Sequence, residues 1–561
     1  MAHETHSPNY RTVRLSYPKE LQMKCPICGS LVHFEYSDAG KFVHCLDEII
    51  QQIRDLYRCT SKNCELSHLF FNPAPRFDYG GRRWGVDVLQ LIGKLFLQAK
   101  AKPDQILTLI HLDHPTFEIS EDSIRRICDD LLELKAFRID EHTMDIILAQ
   151  NMILLGLDGQ DPGADNDSLW LFVDLLSGRI LATIFFESVS HESLHLYLEE
   201  LFRHYKVPIV GWVSDKQNVI VKCHDTYYAE IPHQYCQFHF LNHLWSHLEL
   251  LDSQIFLPLK KMICHLYIHN TTNAVEFEGH GKIKIKEVFK PIDNDLQTMI
   301  KVRNKTFKEL RGLWLFSTLN DYYERMNTNV KKMNSHLRGT KIMRKTTIKI
   351  HESLRKLKNI YDQVHELFEK FQNIRKIFNT TSLEWQEQQR QCDEIFKQCW
   401  SEAVAVNPSL CLEDCRAFLP HKNTSFPQIL AEWCRLWNSY LPGLFQYHRF
   451  PGVWRTNGVL ERLFSLEKCA LITRAGKGNV NHMIATRGEA YLRIMHCDQN
   501  ELSGSYLIEF QEELVKALRE QLKDRISKQT SKWRTRERTY SEFSGVSIYI
   551  ESEKKTKMEV R

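Results

Sequence analysis

The sequence predicts a multidomain α/β protein, and three observations carry that expectation. Two close cysteine pairs, Cys25-Pro-Ile-Cys28 and Cys59-Thr-Ser-Lys-Asn-Cys64, bracket short alternating runs. Residues 152 to 235 read in the order strand, strand, strand, helix, strand, helix, strand. Beyond His243 the pattern is helical for nearly two hundred residues, and a last helical block follows from Thr456 to Met495.

The chain has 561 residues, enough for three or four units at about 100 to 200 residues each. Hydrophobic residues make up 43% and charged residues 26%, the composition of a globular chain and not of a disordered or fibrous one. No run approaches the roughly 18 to 20 apolar residues of a membrane span. The opening MAHETHSPNYRTVRL lacks the apolar core of a signal peptide, so the expected location is cytoplasmic, nucleoid-associated in a bacterium or nuclear in a eukaryote. Sixteen scattered cysteines then point to metal binding or buried thiols before disulfides. The net charge of +4 is unevenly placed. Lys331 to Lys358 holds ten Lys or Arg against Glu352, and Lys516 to Arg538 holds nine against Glu520, Asp524 and Glu537. Either run alone reads as a solvated helix face; two together favour a polyanion partner.

After an extension over 1–24, residues 25–80 read as a zinc ribbon. LVHFEY and KFVHC flank Asp38-Ala-Gly40 as a β-hairpin, and each cysteine pair sits on a tight turn, presenting four thiolates tetrahedrally. The long gap between the pairs leaves His44, Cys45 or His68 as a replacement for one of Cys25, Cys28, Cys59 and Cys64. Four ligands leave no open position, so the zinc is structural. Residues 81–148 read as three short helices, with Pro103 opening the second and Ser120 capping the third. As a helix-turn-helix unit they place Arg125 and Arg126 on the recognition helix; the alternative is a plain three-helix linker.

The segment 149–245 begins with Met152–Asp158, Leu169–Asp174 and Arg179–Phe186, an antiparallel meander turned at Ser177-Gly178. An amphipathic helix from His191 to Tyr205, with Leu194, Leu198, Leu201 and Phe202 on one stripe, leads to Ile209–Val213 and Ser214-Asp215. Ile231–Tyr235 reads as a fifth strand. That order is the one of an RNase H-like mixed sheet. Residues 246–450 form an all-helical insertion, in which Ile350, Leu354, Leu357, Tyr361, Val364, Phe368 and Phe371 make an a/d-like seam for another helix or a second subunit. Residues 451–500 return to the core, and 501–561 form a basic tail.

An ionised carboxylate at the end of a buried strand needs a counter-charge, and a divalent metal supplies one. In an RNase H-like sheet the first and fourth strands are neighbours, so Asp158 and Asp215 meet at one sheet edge. Oxygen ligands select Mg or Mn, and two such ions activate a nucleophile and stabilise the leaving oxygen of a phosphodiester. Glu461, in Arg455-Thr-Asn-Gly-Val-Leu-Glu461, is the candidate third carboxylate, with Glu467 and Glu489 as competitors on the same helical stretch. Taken singly, Asp158 reads as a turn residue and Asp215 as a helix N-cap. Cys236 and His239 are two ligands short of a zinc site and favour packing or hydrogen bonding. Asn457 caps the helix or touches DNA, and Arg462 is exposed or holds a phosphate.

Leu157-Asp158-Gly159, Val213-Ser214-Asp215, Cys236-x-x-His239, the long helical insertion and Thr456-Asn457-x-x-x-Glu461 together resemble the acidic-triad transposases of the Mutator-like and related bacterial insertion-sequence groups. The resemblance covers about residues 150 to 495. It implies Asp158, Asp215 and Glu461 as ligands of two Mg or Mn ions, and Cys236 and His239, with Asn457, as the accessory motif. It implies a DNA transposase that binds terminal inverted repeats as a homodimer or larger assembly, then cleaves and transfers strands. Lys331, Lys332, Lys341, Arg344, Lys345 and Arg462 join Arg125 and Arg126 as the DNA-binding set. Lys216 departs from the small residue expected after the second aspartate. The alternatives are a domesticated, catalytically inactive DNA-binding protein and an RNase H-like nuclease or resolvase.

Overall fold

A computed structural model describes residues 10–74, 76–78, 82–161, 167–186, 188–264, 274–276, 282–284, 300–301, 307–333, 335–410, 424–475, 480–495, 519–520, 522–524 and 526–527. The chain forms two compact units, Met1–Val210 with Gly458–Arg561, and Gly211–Asn457.

The first unit opens with a four-stranded sheet: β1 (Tyr10–Leu15), β2 (Val32–Ser37), β3 (Lys41–His44) and β4 (Ile49–Cys59). The expected hairpin is replaced by a different pairing. β2 and β3 do not pair with each other; both lie antiparallel on β4, β2 along Asp55–Cys59 and β3 along Ile49–Gln52. The corner at Asp38-Ala-Gly40 explains this. Gly40 takes a positive φ of 80° that side-chain-bearing residues disfavour. One Asp38 carboxylate oxygen accepts from the Gly40 and Arg54 N–H groups and the other from the Arg54 guanidinium, which ties the corner to β4. β1, inside the expected extension, adds in parallel to the other edge of β4.

The helices α1 (Val86–Gly93), α2 (Pro103–Asp113) and α3 (Glu121–Gln150) follow. Ser120 caps α3, its hydroxyl accepting from the Ser123 N–H. The third helix is not short: it runs 30 residues before ending at left-handed Asn151. In its first three turns Asp129 binds the Arg487 guanidinium through both oxygens and Asp130 binds Arg82 and Arg519.

β5 (Ile153–Gln160), β6 (Ser168–Asp174) and β7 (Ile180–Phe186) form the expected antiparallel meander. Asp174, fully buried at the end of β6, accepts from the N–H groups of Leu154, Leu176 and Ser177 and from the Ser177 hydroxyl, so it is the latch of the β6–β7 turn. α4 (His191–Tyr205) has the expected bounds and buries Leu194, Leu198 and Leu201; Tyr205 is buried where Phe202 was expected. The Ile153 N–H donates to the Pro208 carbonyl just before β8 (Ile209–Ser214). The mixed sheet has the order β7-β6-β5-β8-β9, with β9 (His233–Tyr235) parallel to β8. α11 (Gly458–Ala475) and α12 (Asn481–Met495) complete this unit, α12 packing on α3, β6 and β7.

The second unit holds α5 (Asn218–Tyr227), α6 (Gln237–Cys264), α7 (Arg311–Lys331), α8 (Arg338–Asn379), α9 (Trp385–Val406) and α10 (Phe426–Leu444). The insertion is not all helix: β10 (Ala274–Glu276) and β11 (Lys282–Lys284) pair as a short ribbon. The seam on α8 finds its partners within the chain, burying Ile350, Leu354, Leu357, Val364 and Phe371 against a bundle with α6 and α7. Asp252 of α6 is fully buried and accepts from the Gly312 and Leu313 N–H groups (2.7 and 2.9 Å), capping α7 from a neighbouring helix. A Cβ on Gly312 would lie 2.5 Å from the Asp252 carbonyl, so this approach requires glycine. Burial pushes the Asp252 carboxyl up to about 6 against those two bonds. Asp252→Ala orphans two buried donors and is expected to destabilise by about 2–4 kcal/mol in urea unfolding, Asp252→Asn by less.

No helix among the described residues is long and apolar enough to cross a membrane.

Candidate metal centres and nucleic-acid surfaces

Cys25, Cys28, Cys59 and Cys64 converge into one four-thiol cluster, their sulfurs all within 4.8 Å of one another. The turn that carries the first pair depends on Gly29, at φ +70°, whose N–H donates to the Cys25 carbonyl. The Cys25–Cys64 and Cys28–Cys59 sulfurs lie 3.7 and 3.5 Å apart. A tetrahedron of four sulfurs around zinc, with bonds of about 2.3 Å, has edges of about 3.8 Å. The donor set fits a structural zinc. Hydrogen bonds from Ser30 hold the Cys28 thiol down at about 6, ready as a thiolate. His44, Cys45 and His68 do not join. His44 packs edge-on against Trp84, and Cys45 is pushed up to about 12 by burial, with Asp87 beside it.

In the first unit Asp158 lies near the end of β5, paired across to Leu171 and 8% exposed, its carboxylate accepting from the Gly159 N–H at 2.9 Å. Gly156, two residues earlier, shares its face of the strand. A Cβ there would meet Leu460 Cδ1 at 2.9 Å, so the start of α11 lies directly on β5. Glu461 follows Leu460 in the first turn of α11 and is half-buried; Arg462 beside it is exposed.

The two competitors of Glu461 stand in different surroundings. Glu489 accepts from Arg493 at 3.2 Å. Glu467 is fully buried near Leu169 and Gly488, where a Cβ on Gly488 would stand 2.5 Å from its Oε1. Among the described residues neither of its oxygens has a hydrogen-bond partner, and burial pushes the carboxyl up to about 8. A raised folded-state value means the acid is neutral in the fold and ionised in the unfolded chain between about 4.5 and 8. Its relative stabilisation is complete below about pH 4.5 and is lost as pH rises to about 8. Glu467→Gln is therefore expected to remove several kcal/mol of the stability loss between pH 5 and 8.5, read as the shift in denaturation midpoint; an unchanged shift refutes the assignment.

In the second unit Asp215 directly follows β8 and is half-buried. Burial raises its carboxyl above the usual range, opposed by hydrogen bonds from Gln217 and by the His239 and His243 imidazoles. The Cys236 N–H donates to the Ser214 carbonyl, so the start of α6 is fastened beside the end of β8. His239, His243 and His247 then recur every four residues on one face of α6, and burial holds His247 down at about 4. Sequence reasoning stopped at His239, although the i, i+4, i+8 spacing was legible. Cys236 and Asn457 are fully buried. Lys216 is engaged elsewhere: its ammonium donates to the Ser439 carbonyl at 2.7 Å and to the Ser439 hydroxyl, and sits 4.9 Å over the Tyr440 ring. Cys236 and His239 offer a thiol and an imidazole of metal-binding type within this unit.

The basic candidates are exposed. Arg125 and Arg126 each pair one turn back, with Glu121 (2.5 Å) and Asp122 (2.6 Å). Lys331 and Lys332 close α7, and Lys341, Arg344 and Lys345 stand on α8. Of the second basic run, Arg519 is bound to Asp130, and most of the rest lies outside the described residues.

No protein-family profile and no curated protein matches this chain. Among solved structures, a Drosophila P element transposase strand transfer complex aligns with 74% of this chain and 92% of that one, at 13% identity and a TM-score of 0.33.

Proposed function

We propose that this chain is a metal-dependent DNA transposase, with Asp158, Asp215 and Glu461 as the carboxylates that hold two Mg or Mn ions. The observation that carries the reading is the seating of α11 on β5. Leu460 against Gly156 brings Glu461 to the strand that bears Asp158. The bond from Ile153 to Pro208 starts β5 and β8 side by side. In an RNase H-like core, the arrangement this reading adopts, the first and fourth strands are neighbours, which is the basis for pairing Asp158 with Asp215.

Two divalent ions bound there supply Lewis-acid stabilisation of a phosphodiester and an activated water or 3′-hydroxyl. The protein's own groups do the rest. The three carboxylates offer oxygen ligands at the ends of rigid elements, and His239, on the first turn of α6, stands beside Asp215 to orient it and balance its charge. Cys236 fastens α6 to β8 through its N–H. Asn457 immediately precedes the helix that bears Glu461. The four-cysteine module, with a structural zinc, and the exposed Arg125 and Arg126 serve the element's terminal repeats. Lys331, Lys332, Lys341, Arg344, Lys345 and Arg462 serve phosphates of repeat or target DNA, and a dimer brings two ends together.

The test is nicking and strand transfer on the DNA that flanks the gene, with and without Mg. Strand-transfer products from pre-cut ends support transposition. Hydrolysis without transfer indicates a nuclease or resolvase, and binding without cleavage indicates a domesticated DNA-binding protein.

A further inference from the structure

Two stacked ring pairs cross between α7 and α8: Phe316 on Tyr361, centroids 4.2 Å apart, and Tyr323 on His351 at 4.8 Å. The residues pair in reverse order, so the helices are antiparallel. Flanked by these rings is a cavity of about 390 Å³, whose polar lining is Ser317 and Asn320 from α7 and His351, Arg355 and Lys358 from α8. No carboxylate lines it. Lys358 pairs with Asp362, an exposed contact one turn on, and Arg355 makes no hydrogen bond or ion pair among the described residues.

A guanidinium, an ammonium, an amide and a hydroxyl around one opening form a seat for a tetrahedral or planar anion. Its surroundings decide which. Lys341, Arg344, His351, Arg355 and Lys358 recur at steps of three, seven, four and three, all exposed, and share one face of α8. At 1.5 Å per residue this stripe is about 25 Å long. A lone anion needs no such row. A nucleic-acid strand, with a charge about every 3.4 Å along the duplex axis, does.

We propose that the α7–α8 cavity is a phosphate seat for a DNA backbone, with Arg355 and Lys358 as its cations and Ser317 and Asn320 as neutral donors. It positions DNA along the stripe and reads no sequence. The assignment rests on the DNA-processing reading, but its test does not use cleavage.

The experiment measures binding of the full chain to a labelled duplex of arbitrary sequence across a salt series. Each phosphate contact contributes about 0.9 to the slope of log affinity against log salt. The double variant Arg355→Ala with Lys358→Ala is expected to lower the slope by about 1 to 2 and to weaken binding at low salt. Arg355→Lys with Lys358→Arg is expected to preserve the slope, and Lys356→Ala, an exposed cation off the cavity, to change it less. An unchanged slope in the double alanine variant, an equal fall for Lys356→Ala, or no duplex binding by the intact protein overturns the proposal. Calorimetry with inorganic phosphate is the second arm. Phosphate binding that the double alanine variant loses, with DNA binding intact, assigns the seat to a free anion and also overturns it. A chain that fails to cut its flanking DNA but shows the slope change loses the transposase reading and keeps this one.

Discussion

Asp158→Asn is expected to reduce Mg-dependent nicking on the order of 10³- to 10⁵-fold while leaving the chain folded. Asparagine keeps the volume and still offers an oxygen to the Gly159 N–H, which Asp158 now satisfies. What it removes is one negative charge at a position that is 8% exposed. On the proposed reading a bound metal ion balances that charge, which is costly to bury by itself. A thermal scan separates this role from packing. Mg is expected to raise the melting temperature of the intact protein, because a ligand that binds the folded state stabilises it, and to raise that of the variant much less. Nicking by Asp158→Asn at the intact rate would sink the metal assignment. Asp215→Asn is expected to behave alike in nicking, and Glu467→Gln to leave it unchanged.

Removal of zinc is expected to unfold the cysteine end of the N-terminal sheet and spare the rest. Around the cysteines that sheet buries Tyr17, Cys25, Val32, Tyr57, Cys59 and Cys64, with Leu66 and Phe71 against them, while Val43 and Ile50 are buried farther along it. Half of those six buried side chains are the proposed ligands, and so little apolar area does not hold the cysteine end of the sheet without a staple. Structural zinc sites contribute roughly 10–16 kcal/mol of apparent binding energy, which here is folding energy. Chelation, or Cys59→Ser, is expected to release one zinc per chain and to open the segments 17–32 and 57–71 to protease while the β5–β7 sheet stays protected. A module that resists protease with no zinc bound would refute the role.

These two expectations differ in how far the sequence reached them. Cysteine pairs with ligand spacing named all four thiols, because a tight turn presents its two cysteines whatever surrounds it. Periodicity placed α4 to the residue, since a stripe of Leu194, Leu198 and Leu201 is a local property. Strand pairing is not local. β2 and β3 read as a hairpin, yet each spends its hydrogen bonds on β4, and the Asp38–Arg54 contact that decides this joins residues 16 apart. The same limit applies to single acids. Asp174, Glu467 and Glu489 look no different from Asp158 and Glu461 in the sequence; only their surroundings separate a latch, a neutral core acid and a half-buried, ion-paired acid from the candidate ligands.

Lys216 makes the point at one residue. As sequence it was a misplaced cation beside Asp215; in the fold it is held by Ser439 and Tyr440, more than two hundred residues away. The sequence by itself determined the cysteine cluster, the succession of strands and helices from 152 to 235 and the helical character of most of the insertion, because turn chemistry and hydrophobic period act over a few residues. Tertiary structure alone decided which strands share β4, which carboxylates stand buried or paired, and where α8 finds its partners, because those outcomes depend on close approach and desolvation between distant segments.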